Sequence, residues 1–142
     1  MNQTINRTLL LFSATLVIIA CSHNANDESQ HELNTTVKLE NGKKWKANPE
    51  TIKHVNAMAN IIASNPNAVD KNYSSIAKQL LIELKLVFDE CTMTGEAHEQ
   101  LHNFLIPLHK NISKLIQNKS EHPAETLAEI ETHLSSFGDY FE

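Results

Sequence analysis

Residues 73–91 read YSSIAKQLLIELKLVFDEC, and within them Tyr73, Ala77, Leu80, Leu84, Val87 and Cys91 recur at alternating steps of four and three. Such steps return a side chain to one face of a helix with about 3.6 residues per turn, whereas a strand alternates every second residue. The stretch is therefore expected to form a long amphipathic helix opening near Asp70, and its apolar stripe needs partners of the same kind. The flanking sequence supplies them. Upstream, Asn48-Pro49-Glu50 is a helix start, with a capping residue, proline at the first helical position and an acid in the first turn. Ile52, Val55, Ala59 and Ile62 follow at helical spacing with Met58 beside them, and Asn65-Pro66-Asn67 closes that helix. Downstream, Thr94-Gly95 opens a third helix whose seam is His98, Leu101, Leu105, Leu108, Ile112 and Leu115. Pro107 interrupts it, leaving the Asn103 carbonyl without its helical donor. His122-Pro123 opens a fourth, carrying Leu127, Ile130, Leu134 and Phe137 and ending at Gly138.

The three glycines, Gly42, Gly95 and Gly138, all fall at boundaries, and no segment reads as a sheet. Four amphipathic helices joined by short connections predict an all-α fold, an antiparallel up-down-up-down four-helix bundle over residues 41–142. Before the first helix, Thr36–Glu40 forms a short extended arm ended by the turn signal Asn41-Gly42. Trp45, the only tryptophan, sits among Lys43, Lys44 and Lys46 and reads as an amphipathic plug on the bundle end, with surface recognition as the alternative.

Residues 1–20 have the form of an export signal: Arg7 in a polar leader, then an apolar run from Leu9 to Ile19 that is too short to span a bilayer. Ile18-Ile19-Ala20-Cys21 resembles the lipobox of bacterial lipoproteins. The resemblance implies cleavage before Cys21, lipid transfer to its sulfur and acylation of the new N-terminus, palmitate included. Two or more acyl chains make a stable membrane anchor. Residues 21–40 then read as a flexible, disordered tether, polar from Ser22 to about Thr36. Ser22 resembles an outer-membrane sorting choice, so the expected location is the cell envelope, lipid-anchored to the outer membrane, with the folded part in the periplasm or at the surface.

The full chain carries a formal charge of −5, and loss of Arg7 makes the mature chain one unit more negative. That balance argues against nucleic acid as a partner. With Cys21 taken by lipid, Cys91 has no second cysteine to pair with in its own chain. It is then buried and inert, paired between chains, or held by a metal.

Cys91, Met93, His98 and His102 lie within one short stretch at the junction of the second and third helices. Antiparallel connectivity would bring His54 and His133 to the same end. A thiol, a thioether and imidazoles suit a soft or borderline transition metal, copper or zinc, and Cys91, Met93, His98, His102 and His54 are the candidate ligands. The competing reading makes Cys91 a small core hydrophobe, Met93 a plug and the histidines half-exposed residues satisfied by neighbours. His98-Glu99-Gln100-Leu101-His102 matches the zinc-protease string literally, but such proteases need a third ligand and a cleft on a larger scaffold. Haem through Met58 with His98 or His133, and a Cys91/His98 nucleophile pair, also lack their full signatures, and no enzyme activity is expected.

Asn41-Gly42-Lys43-Lys44-Trp45, Cys91 to Gly95 with His98 and Leu101-His102, and the aromatic end Phe137 to Phe141 resemble small helical lipoproteins of the Bacteroidota type. That resemblance implies a helical lipoprotein and no particular activity. The expected function is a membrane-anchored envelope lipoprotein binding copper or zinc at the hairpin. The alternative is a metal-free structural or interaction lipoprotein that contacts an envelope partner.

Overall fold

A computed structural model describes residues 36–66 and 72–142. The expected signal, Cys21 and most of the tether lie outside the described residues, as does Asp70. The fold is all-helical: α1 (Pro49–Ala63), α2 (Tyr73–Glu90), α3 (Gly95–Ile116), α4 (Pro123–Ser135) and a single turn, α5 (Phe137–Tyr140). α2 packs against α1 and α3, and α4 closes the bundle against α3 and α1. Cross-helix bonds join beginnings to ends, as antiparallel neighbours require: Asn48, before α1, donates from Nδ2 to the Glu90 carbonyl at the end of α2. Ser74, at the start of α2, donates to the Ile116 carbonyl at the end of α3. Among the described residues no helix is long and apolar enough to cross a membrane.

The stripes expected on α2, α3 and α4 form the core. Ala77, Leu80, Leu84 and Val87 are fully buried, and Leu101, Leu105, Leu108, Ile112, Leu115, Leu127, Ile130 and Leu134 join them. Phe104, absent from the expected α3 seam, is also fully buried. On α1 the core stripe is rotated relative to expectation. Thr51, Val55, Met58 and Ile62 face inward, Ile52 is half-buried and Ala59 is exposed. Thr51 can lie inside because its hydroxyl donates to Asn48 Oδ1 at 2.8 Å, satisfying the polar group that burial would otherwise strand.

Helix ends account for the other differences. α2 stops at Glu90, so Cys91 leaves the helix in extended conformation and is half-buried. Gly138 does not end α4. The chain breaks at Ser136 and re-forms a turn through Gly138, which lets Phe137 and Phe141 stack at 4.7 Å against Phe104. α3 runs through Pro107 as one helix. Near that position His133 Nε2 donates to the Phe104 carbonyl at 2.8 Å, one residue beyond the carbonyl the proline leaves without a donor.

Trp45 is the plug that its neighbours suggested, 5% exposed. Its backbone N–H donates to the Tyr140 carbonyl, its carbonyl accepts from Glu142 N–H, and its indole N–H donates to the Lys38 carbonyl. The arm is docked as well: Lys38 N–H donates to the side-chain oxygen of buried Gln100 on α3. Asn41 and Gly42 both have positive φ, +52° and +83°, the geometry of a tight hairpin turn, with Glu40 and Lys43 exchanging backbone bonds across it.

Candidate functional site

The α2–α3 hairpin is built by two local decisions. Cys91 takes φ −69° and ψ 123°, ending α2, and Gly95 takes φ +62°, a conformation costly for a side chain bearing Cβ, so that α3 can start after only four linking residues, 91–94. Thr94 occupies the capping position without a side-chain capping bond. Asn48 stands at the capping position of α1 without the expected side-chain capping bond, its Oδ1 accepting from the Thr51 hydroxyl instead. Its Oδ1 also accepts from Thr92 N–H, and its Nδ2 bonds Glu50 and the Glu90 carbonyl, so this one amide ties the start of α1 to the hairpin.

Across the hairpin, Cys91 Sγ lies 3.6 Å from His98 Nδ1. On the other side of the same ring, His98 Nε2 lies 3.0 Å from His102 Nε2, with ring centroids 4.5 Å apart and edge to face. One helical turn separates the two imidazoles, which is why they meet on one face. The Phe88 ring lies 5.7 Å from His102. A bond between two Nε2 atoms carries a single proton, so one ring donates and the other accepts. Burial, and secondarily the neighbouring His98, hold the His102 imidazole below its ordinary pKa. Cys91 and Met93 are partly buried and pack against the hydrophobic core, whereas Glu99, the acid of the protease-like string, is exposed.

The other two histidines of that expected end have their own partners. His54, 4% exposed, is gripped by two carboxylates of α2: Nδ1 to Glu83 Oε2 at 2.7 Å and Nε2 to Glu90 Oε2 at 3.1 Å. Both ring nitrogens face carboxylate oxygens, a setting that favours the doubly protonated imidazolium. Its pKa is raised, chiefly by the Glu83 bond and against the cost of burial, with a further contribution from Glu90. His133 is occupied by the Phe104 carbonyl and its ring packs at 4.3 Å on that of Phe104.

Of the expected donors, then, Cys91, His98 and His102 are brought into one connected chain, Met93 is near in sequence but packed on the core, and His54 is engaged elsewhere. The chain is linear. His98 turns Nδ1 to the thiol and Nε2 to His102, and among the described residues no three His, Cys, Asp or Glu side chains converge as a metal cup. Each half has a span suited to an ion. Tetrahedral zinc with bonds of about 2.3 Å to sulfur and 2.0–2.1 Å to nitrogen separates S from N by about 3.6 Å and two nitrogens by about 3.3 Å.

Glu83 and Glu90 were not visible as functional residues in the sequence. Their signal is a pair of acids seven residues apart on one flank of the α2 seam, facing a histidine that the α1 pattern places off its own stripe. No protein-family model matches the chain, and neither a characterised protein nor a solved structure was found to resemble it.

Proposed function

We propose that the mature chain, from Cys21 onward, is a lipid-anchored protein of the cell envelope that binds a copper or zinc ion at the α2–α3 hairpin, as a buffer or sensor rather than a catalyst. The observation that supports the metal reading is the placing of His98, with a thiol sulfur 3.6 Å from one ring nitrogen and a second imidazole 3.0 Å from the other. Both distances fall within a few tenths of an ångström of what a tetrahedral ion needs. The lipobox-like Ile18 to Cys21 supports the anchor. Because His98 takes part in either bite, it is the residue to test.

Full-length protein extracted from membranes in detergent is expected to hold zinc or copper(I) in stoichiometric amount, and His98→Ala to lose it. Weak binding that His98→Ala leaves unchanged sinks the metal reading. For the anchor, the chain isolated from membranes should begin at Cys21 and carry the mass of a lipidated, acylated cysteine. A chain that begins elsewhere, or that carries no acyl mass, contradicts the anchor.

A metal-free interaction protein is the second reading, supported by Ile82 and Phe88, which stay 59% and 43% exposed on α2. Trp45, the residue first considered for such a contact, is buried in the chain's own core and does not serve it.

A further inference from the structure

We infer that the turn at residues 38–44 is a membrane-contacting surface. Lys38, Lys43 and Lys44 meet anionic headgroups of the membrane that holds the anchor, and Leu39 enters the interface beside them. The bundle then stands with its α2–α3 hairpin end toward that surface. This deepens the anchor reading above and rests on it.

The cations of the chain are not spread evenly. Lys38, Lys43, Lys44 and Lys46 fall in one short stretch whose only acid is Glu40, in a chain with a formal charge of −5. Lys46 is taken by Glu142, with Nζ 2.6 Å from Oε1, and among the described residues the other three lysines make no ion pair. Residues 38–44 are all exposed, and a Cβ on Gly42 would meet nothing within 4 Å, so the turn projects from the bundle. Leu39 is 41% exposed, an apolar side chain left open next to a cation. The acids Glu96, Glu99 and Asp139 belong to the same bundle end but stand on α3 and α5. With screening over about 8–10 Å in ordinary salt, the charges that govern a first contact are those of the projecting element itself.

The turn is held in place before any contact. Trp45 at its root is buried, its indole N–H donates to the Lys38 carbonyl, and Glu40 and Lys43 exchange backbone bonds. Little ordering therefore opposes attachment. Only residues 22–35 separate Cys21 from Thr36, where the described fold begins, a reach of at most about 50 Å. A lipid on Cys21 keeps the turn at a high effective concentration near the surface, so individually weak contacts suffice. Each lysine at an anionic surface strengthens attachment about fivefold, and an apolar side chain in the interface adds to it. The Lys38 N–H is bonded to Gln100, which lies between His98 and His102 on α3, so a turn laid on the membrane carries the hairpin end with it.

The lipidated full-length protein, reconstituted in vesicles of phosphatidylcholine alone or mixed with phosphatidylglycerol, is followed by amide hydrogen exchange and mass spectrometry. Residues 38–44 should exchange at least about fivefold more slowly in the anionic vesicles, and the difference should vanish in high salt. The double variant Lys43→Glu/Lys44→Glu should remove the difference, whereas Lys43→Arg/Lys44→Arg should keep it, with the emission of buried Trp45 unchanged in both. Equal exchange in the two kinds of vesicle, or slowing that the charge reversal leaves in place, overturns the contact while the anchor stands. A chain without acyl mass at Cys21 overturns both.

Discussion

Replacing His54 by leucine keeps most of the buried bulk between α1 and α2 and removes the charge. The wild-type imidazolium makes two bonds to carboxylates, and hydrogen bonds involving a charged group contribute about 1.5–3 kcal/mol each. The Glu83 bond is short and its carboxylate mostly shielded, so a value near 2 kcal/mol applies; Glu90 is 40% exposed and water screens it, which reduces that bond to about 1 kcal/mol. The sum is about 3 kcal/mol at about pH 6, equivalent to a fall in Tm of about 15 °C for a folded part of roughly 100 residues. The effect depends on pH. Because the folded-state pKa of His54 is raised above 6.5, the contribution is complete below that value and is lost as pH rises through the raised one. Above it a lone pair of the neutral ring faces a carboxylate. Thermal unfolding followed by circular dichroism should therefore show a wide gap between wild type and His54→Leu at about pH 6 and a much smaller one at about pH 9. A gap that does not change with pH, or one below about 1 kcal/mol at pH 6, would refute the buried-imidazolium argument.

Two further outcomes follow from the arm and the chain end. Trp45→Ala should cost about 3–5 kcal/mol, as truncation of a buried aromatic does, and the wild-type tryptophan should emit at the short wavelengths of an apolar site. Emission typical of a water-exposed indole contradicts the docked arm. Gly42→Ala places a Cβ at φ +83° where nothing lies within 4 Å, so only the backbone penalty of about 1 kcal/mol should appear. A loss of several kcal/mol would mean that the turn is packed against something else.

The seam of α2 was readable because its apolar residues serve one purpose, and Ala77, Leu80, Leu84 and Val87 went where a helical period sends them. α1 was misread by a fraction of a turn. Its inward face includes Thr51 and His54, polar residues that an apolar pattern skips, and each is inside because a polar partner satisfies it: Asn48, three residues earlier, for Thr51, and Glu83 and Glu90 of α2 for His54. The end of α4 was misplaced for a related reason. A glycine usually stops a helix, but here the stacking of Phe137 with Phe141 against Phe104, a long-range contact, sets where the chain turns.

The same division runs through the hairpin. Sequence alone determined the all-helical class, the four helices near their observed places, and the meeting of His98 with His102, because period and i, i+4 spacing are local properties of one chain segment. The tertiary structure decided which of the five candidate donors come together. Cys91 reaches His98 because α2 ends one residue before it, and His54 is drawn to two carboxylates on a neighbouring helix. Above all, the two nitrogens of His98 point to different partners. A pattern of residue types carries no ring orientation; the packing of α2 against α3 supplies it, and with it the choice between a metal cup and a chain of donors.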